Sequence, residues 1–306
     1  MRAWARRRAV LLAAAGAAIL ATLAPPWARA EALVHPYQIV TTDDDDITKR
    51  IAADLRKRLQ TVLVLPPEAL EPNQARARTI YIAIGPLALS TLVAREPDGV
   101  VISAYTSSQV WHAQLARAKP AQRAAYTAVY AEPSPFDQMR LIGLLYKRAV
   151  SVAAILSPDT AFLHPALRAA SADITIDTFG EADDINRAMN RLAHNQVLLA
   201  VPDRSVYNND NMRNILLSAY RHNQAVIGFS ADMVKAGALA STYSEIDDIN
   251  TQVGEIAAAY AATGELTPPQ FPRYFNTVIN EGVARSLRVP VDSAARHFAR
   301  RPQGAK

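Results

Sequence analysis

Residues 202–230, PDRSVYNNDNMRNILLSAYRHNQAVIGFS, decide how the rest of the chain is read. One apolar run, QVLLAVP (196–202), leads into this stretch, and a second, QAVIGFS (224–230), closes it. An amphipathic helical pattern lies between them. Strand, helix and strand at this spacing form the repeating unit of a parallel sheet covered by helices. The connection after the first strand is unusually rich in side chains. The chain has only 11 glycines, yet it places Asp203, Arg204, Ser205, Tyr207, Asn208 and Asn209 in this one loop. In open α/β sheets, ligands bind beyond the carboxyl ends of the strands, which is where this loop falls.

The same alternation extends outward. YQIVTT (37–42), TVLVL (61–65), TIYIAIG (79–85), GVVISAY (99–105), AYTAVYA (125–131), SVAAILS (151–157) and DITIDTF (173–179) are further short apolar runs, most followed by helical patterns. Continuous apolar runs suit strands buried on both faces. About ten such strands are too many for one sheet at this length, so two parallel sheets of five or six strands are expected. The predicted fold class is α/β, with two Rossmann-like lobes.

Residues 1–30 read as a secretory signal segment. Arg2, Arg6, Arg7 and Arg8 precede an apolar run, VLLAAAGAAILATLA, and Ala28-Arg29-Ala30 forms an A-x-A cleavage pattern. The run is short for a membrane span. The chain has no cysteine, so a lipid anchor at the cleavage site and disulfides are both excluded. The expectation is a periplasmic protein with no stable membrane insertion after cleavage. Its formal charge of +5 equals the five arginines of residues 1–30. The remaining chain is formally neutral, which removes the electrostatic case for a nucleic-acid partner.

Enzyme signatures are missing: there is no GxSxG, HExxH, Walker A or GxGxxG motif. The six histidines are scattered without metal-ligand spacing. No catalytic residue, metal or cofactor is therefore expected, and a small-molecule ligand is. The acidic run Asp43–Asp46 has two readings. It is either a helix start capped by Thr42, or a source of one carboxylate, such as Asp43 or Asp44, for a ligand ammonium. A calcium loop is disfavoured because the required Gly and terminal Glu are absent. The remaining post-strand loops contribute Pro86, Tyr105, Thr106, Ser107, Ser205 and Ser230 as candidate ligand contacts. Asn208 or Asn209 is also placed to cap the following helix. Aromatics at strand ends, including Tyr105, Trp111, Tyr130, Phe136 and Phe162, are candidates for a pocket wall.

The segment VPDRSVYNNDNMRNILLSAYRHNQAVIGFSADMVKAGALASTYS (201–244) resembles the core signature of a family of ABC-transporter substrate-binding proteins that includes the aromatic-amino-acid-binding TrpX-like proteins. The resemblance continues through NTQVGEIAAAYAATGEL (250–266), PPQFPRYFNTVIN (268–280) and VARSL (283–287), and covers about 126 to 289. It implies the type I periplasmic binding protein architecture, with crossings near 147–149, 237–241 and 266–272. Lobe 1 would be 31–148 with 238–268, and lobe 2 would be 149–237 with 269–306. Asp203 and Asn208 match the family's loop and are implied ligand contacts. Thr160 falls where the family offers a polar residue after the first strand of lobe 2. The lobe 1 loops, with DDDD and YTSSQ, depart from that pattern and leave the ligand open. An ABC permease or a membrane sensor protein is the implied partner.

Overall fold

Parallel pairing dominates two separate sheets. The computed structural model describes residues 37–42, 44–59, 62–66, 69, 79–118 and 124–303. The expected signal segment therefore lies outside the described residues, as do Asp43 and the last three residues. The first sheet contains β1 (Tyr37–Thr41), β2 (Val62–Leu65), β3 (Ile80–Ile84), β4 (Val100–Thr106) and β5 (Ala125–Tyr130) in the order β2-β1-β3-β4-β5, all parallel. The second contains β6 (Val152–Leu156), β7 (Thr175–Thr178), β8 (Val197–Leu199), β9 (Ala225–Ile227), β10 (Ala240–Tyr243) and β11 (Asn276–Ile279) in the order β11-β10-β9-β8-β6-β7. Only β11 runs antiparallel to its neighbour. The two parallel-dominated sheets expected from the sequence are present, with five and six strands.

Helices cover both faces of each sheet, so the central strands are buried on both sides. All five residues of β3 and of β6 are buried. On the first sheet, α1 (Asp46–Arg58) and α9 (Ile246–Thr263) pack Ile51, Leu55, Ile249, Val253 and Ile256 against Ile39, Ile82 and Ile102. On its other face, α2 (Gly85–Arg95) and α3 (Ser108–Leu115) pack Leu89, Leu92 and Trp111 against Val40, Val101 and Ala128. The close approach of β3 to β4 depends on Gly99. A Cβ there would sit 2.2 Å from the Thr79 carbonyl oxygen, and φ is +129°, so no L side chain fits.

The second sheet is covered on one face by α4 (Pro135–Tyr146), α5 (His164–Ala170), α10 (Glu281–Ser286) and α11 (Ser293–Arg296). On the other lie α6 (Ile185–Arg191), α7 (Asn209–Arg221) and α8 (Ala231–Ala236). This packing moves the expected lobe boundaries. Leu141, Ile142 and Leu145 of α4 share a core with Val152, Leu156 and Ile227, so α4 belongs to lobe 2 and the first crossing is at 131–134, not 147–149. Strand β10 pairs with β9, which places the second crossing at 244–245, after the expected 237–241. The third crossing, 271–275, follows Gln270, which still bridges Val129 of β5. The lobes described here are therefore 37–131 with 246–270, and 135–243 with 276–303.

The crossings are held by side chains buried between the lobes. Gln252 of α9 donates through Nε2 to the Phe271 carbonyl (3.3 Å) and accepts from the Arg273 amide (2.7 Å). Ser244 Oγ donates to the Tyr274 carbonyl (2.6 Å), tying the second crossing to the third. Within lobe 2, Gln138 of α4 donates to the Gly228 carbonyl and accepts from the Thr242 amide (3.0 Å), so one side chain ties α4 to both β9 and β10.

The α4 assignment has a direct test. Leu141 is fully buried, so Leu141→Ala should cost about 2–5 kcal/mol. Hydrogen exchange should then rise in β6, β8 and β9, with β3 and β4 less affected. Loss of protection centred on β3 and β4 would return α4 to lobe 1.

Candidate functional site

A recess lies where the carboxyl ends of β8 and β9 in lobe 2 meet the first and third crossings. Its walls are Glu132 and Pro133 from the first crossing, Leu163, the strand end Leu199–Pro202, Phe229 and Phe271. The volume is about 10 Å³, room for roughly one water. The lobes meet beside it. The Gln109 side-chain oxygen, on α3 of lobe 1, accepts from the Arg204 amide of lobe 2 (3.1 Å). The His112 ring of α3 lies 3.9 Å from the Phe162 ring of lobe 2, centre to centre. Trp111, Tyr130 and Phe271 extend this aromatic cluster through edge contacts. Burial holds the His112 imidazole below its ordinary pKa, which keeps it neutral and suited to ring stacking.

Lobe 2 supplies a fixed carboxylate. Asp203 is buried and accepts from the Ser157 amide (2.7 Å), the Thr160 hydroxyl, the Ser205 amide (3.0 Å) and the Val206 amide (3.3 Å). It thereby joins the loop after β6 to the loop after β8. These four bonds fill the acceptor sites of the carboxylate, so Asp203 orders the rim of lobe 2 from within.

The first crossing supplies a carboxylate of a different kind. Glu132 is 4% exposed, and both of its oxygens accept from one donor, the Ser108 amide (3.0 and 3.2 Å). Among the described residues, no lysine or arginine pairs with it. Burial pushes its carboxyl above the ordinary value, against the lowering effect of its contacts with Ser108.

The other candidate residues divide among several places. Thr160 lies with Asp203, as described. Thr106 is buried where β4 ends, and its hydroxyl has no partner. Ser107 caps α3, accepting from the Val110 amide (3.4 Å), and Ser230 caps α8, accepting from the Met233 amide (3.2 Å). Asn208 caps α7, accepting from the Asn211 amide (2.9 Å), while its amide group donates to the Arg204 and Ser205 carbonyls. Ser205 is exposed and Pro86 is exposed on the first turn of α2. Asp44 is exposed and pairs with Lys49 (3.2 Å). The cap of α1 is Asp45, accepting from the Thr48 amide (2.7 Å), and not Thr42. None of these residues lines the recess.

Tyr105 points elsewhere. A register shift between Ala104 and Thr106 and a φ of +60° at Tyr105 turn its side chain toward α9. Its hydroxyl donates to Asn250 Oδ1 (2.7 Å), and Asn250 Nδ2 donates to Asp54 (2.9 Å). Burial and the nearby Asp54 charge raise the phenol pKa, so it remains a donor in this network. Phe136 is exposed at the start of α4. The residues that sequence reasoning passed over are Glu132, Gln109 and His112. The only signal for Glu132 was its position in the post-strand loop EPSPF (132–136), because its burial depends on where the first crossing runs.

Among the described residues there is no cluster of three metal-ligating side chains and no helix long and apolar enough to cross a membrane.

Comparison with known proteins places this geometry. No family model and no curated protein matches the chain. Solved structures do. A substrate-binding protein with adhesive properties from Clostridium difficile, in its ligand-free, open form, superposes with a TM-score of 0.62 at 14% identity, over 85% of this chain and 97% of that one. The chain has the type I periplasmic binding protein fold. A conserved domain protein from Vibrio cholerae matches with a TM-score of 0.53 at 16% identity, over 86% and 98% of the two chains. An ABC domain from Streptococcus pneumonia in complex with L-Trp matches with a TM-score of 0.52 at 15% identity, over 85% and 97%.

Two outcomes follow for the carboxylates. Asp203→Ala should strand three or more buried donors and destabilise the protein by about 3 kcal/mol or more, whereas Asn208→Ala should cost about 1 kcal/mol as a lost cap. Urea midpoints of the two variants give the comparison, and equal losses would contradict the roles assigned here. For Glu132, the folded state holds its proton to higher pH than the unfolded chain, whose value is near 4.5. Stability should therefore fall as pH rises from about 4.5 toward the raised folded value. Glu132→Gln should flatten that part of the profile, and an unchanged profile would show that Glu132 does not titrate abnormally.

Proposed function

We propose that the protein is a periplasmic solute-binding protein that closes on a small organic ligand and delivers it to an ABC importer. The observation that carries this reading is the pair of sheets joined by three crossings, with a mostly apolar recess where the lobe 2 strand ends meet the crossings and lobe 1 contacts beside it. A fold of this kind works by hinge closure, in which ligand joins two lobes that otherwise part. In the conformation seen here the lobes already touch through Gln109–Arg204 and His112–Phe162, and the recess admits nothing beyond a water. The ligand enters a form in which these contacts are open.

The walls favour an amino acid with an apolar or aromatic side chain. Pro133, Leu163, Pro202, Phe229 and Phe271 give apolar surface, and Glu132 gives one buried polar group. Asp203 and Thr160 serve the site by fixing the loops of lobe 2 that meet the ligand. The neighbour with bound L-Trp supports an amino acid over other small solutes.

Calorimetric titration of the protein with a panel of amino acids tests the reading, with small molecules released on denaturation identified in parallel by mass spectrometry. One or more apolar or aromatic amino acids should bind, and scattering should show the radius of gyration change on binding. Absence of binding across the panel and of any released small molecule would reject the assignment.

A further inference from the structure

We propose that Glu132 selects the ligand, by accepting hydrogen bonds from a cationic nitrogen that the ligand carries into the recess. This rests on the solute-binding reading and adds to it the group that decides which solutes are taken.

Four carboxylates of the described residues are buried, and three have their charge answered from within the protein. Asp203 accepts four hydrogen bonds. Asp137 pairs with Arg300 at 3.0 Å. Asp248 accepts from the Glu245 amide (3.0 Å) and from Asn276, and stands near Arg301. Glu132 has no cation: both oxygens share the Ser108 amide, and its other polar contacts are the Ser108 side chain and its own backbone. An ionised carboxylate offers about four acceptor sites, and a buried one with neutral donors and no cation is costly unless something else supplies charge.

The recess is the place from which that supply can come. Glu132 lines it, and the proline, leucine, alanine, valine and phenylalanine side chains around it carry no donor. The other polar side chain there, Gln138, is occupied on both ends by Gly228, Ser241 and Thr242. An ammonium or similar cation placed against Glu132 would form a charge-assisted pair in a site with little water, the setting in which such bonds are strongest. A ligand with a carboxylate at the same point would meet repulsion. The phenol of Tyr130, pushed up to about 12 by burial and by the charge of Glu132, stays neutral beside it and does not supply the cation. The site therefore sorts solutes by the presence of a basic nitrogen first and by apolar shape second.

The test uses wild-type protein and Glu132→Gln with defined probes. L-tryptophan, L-phenylalanine and L-leucine carry both groups, tryptamine and phenethylamine carry only the amine, and indolepropionate and phenylpropionate carry only the acid. Glutamine retains an oxygen for the Ser108 amide but has no charge, so a merely structural role for Glu132 would survive the change. The expected result is that amine-bearing probes bind the wild type, the amine-free acids do not, and Glu132→Gln weakens the amine-bearing probes by about tenfold or more. Acids binding as tightly as the matching amino acids would overturn the proposal, as would a folded Glu132→Gln variant of unchanged affinity. If that variant fails to fold, the wild-type comparison of amine-bearing with amine-free probes decides alone. Binding that survives the substitution defeats Glu132 only, whereas binding of no probe at all defeats the solute-binding reading and this proposal with it.

Discussion

A single buried carboxylate, Asp203, fixes half of the cleft. Parallel strands end together, and the loops that follow them must satisfy their own backbone donors where water is excluded. Asp203 does this for two loops at once, taking amides from Ser157, Ser205 and Val206 and the hydroxyl of Thr160. The strand end Val201–Pro202 is thereby held against the recess, and the Arg204 amide is presented to Gln109 of the other lobe. Without that carboxylate neither loop has a reason to keep its course, and the wall they form together would be lost.

The connection between the lobes has two grades of firmness. At the crossings, Gln252 and Ser244 bind backbone groups from buried or half-buried positions. Across the mouth, the described residues join the lobes through the hydrogen bond from Arg204 to Gln109 and the ring contact between His112 and Phe162. A hydrogen bond adds about 1 kcal/mol net and an aromatic pair a similar amount. Contacts of that size let the mouth open without disturbing the crossings, so motion is directed to the cleft.

Much of the architecture was legible in the sequence because inner strands of a covered parallel sheet must be apolar on both faces. IYIAI (80–84) and VAAIL (152–156) announce themselves on that ground. Strand β10 does not, since Ala240-Ser241-Thr242-Tyr243 is short and half polar, its hydroxyls being answered by Gln138 and neighbouring carbonyls. The displaced first crossing has a similar origin. The pattern of α4 says that one face is apolar but not which sheet receives it. At the site, the loop 202–210 was marked by its polar side chains, yet most of those serve caps and turns. Glu132 was hidden because a glutamate beside two prolines looks like surface until the crossing folds over it, and Tyr105 was misplaced because a positive φ reversed its direction.

The position of α9 in the chain has a consequence for the order in which the molecule can form. This helix completes the core of lobe 1 through Ile249, Val253 and Ile256, although it is separated from β5 by more than a hundred residues of lobe 2. Strand β11, which closes one edge of the lobe 2 sheet, comes later still. As the chain leaves the ribosome, the first sheet has one face covered by α1 alone until residue 263 has emerged, and the second lacks its edge until residue 279. Neither half can settle into a finished, independently stable body ahead of the other. Growth from the amino end thus yields a loose intermediate for most of synthesis, and both halves become complete almost together near its close.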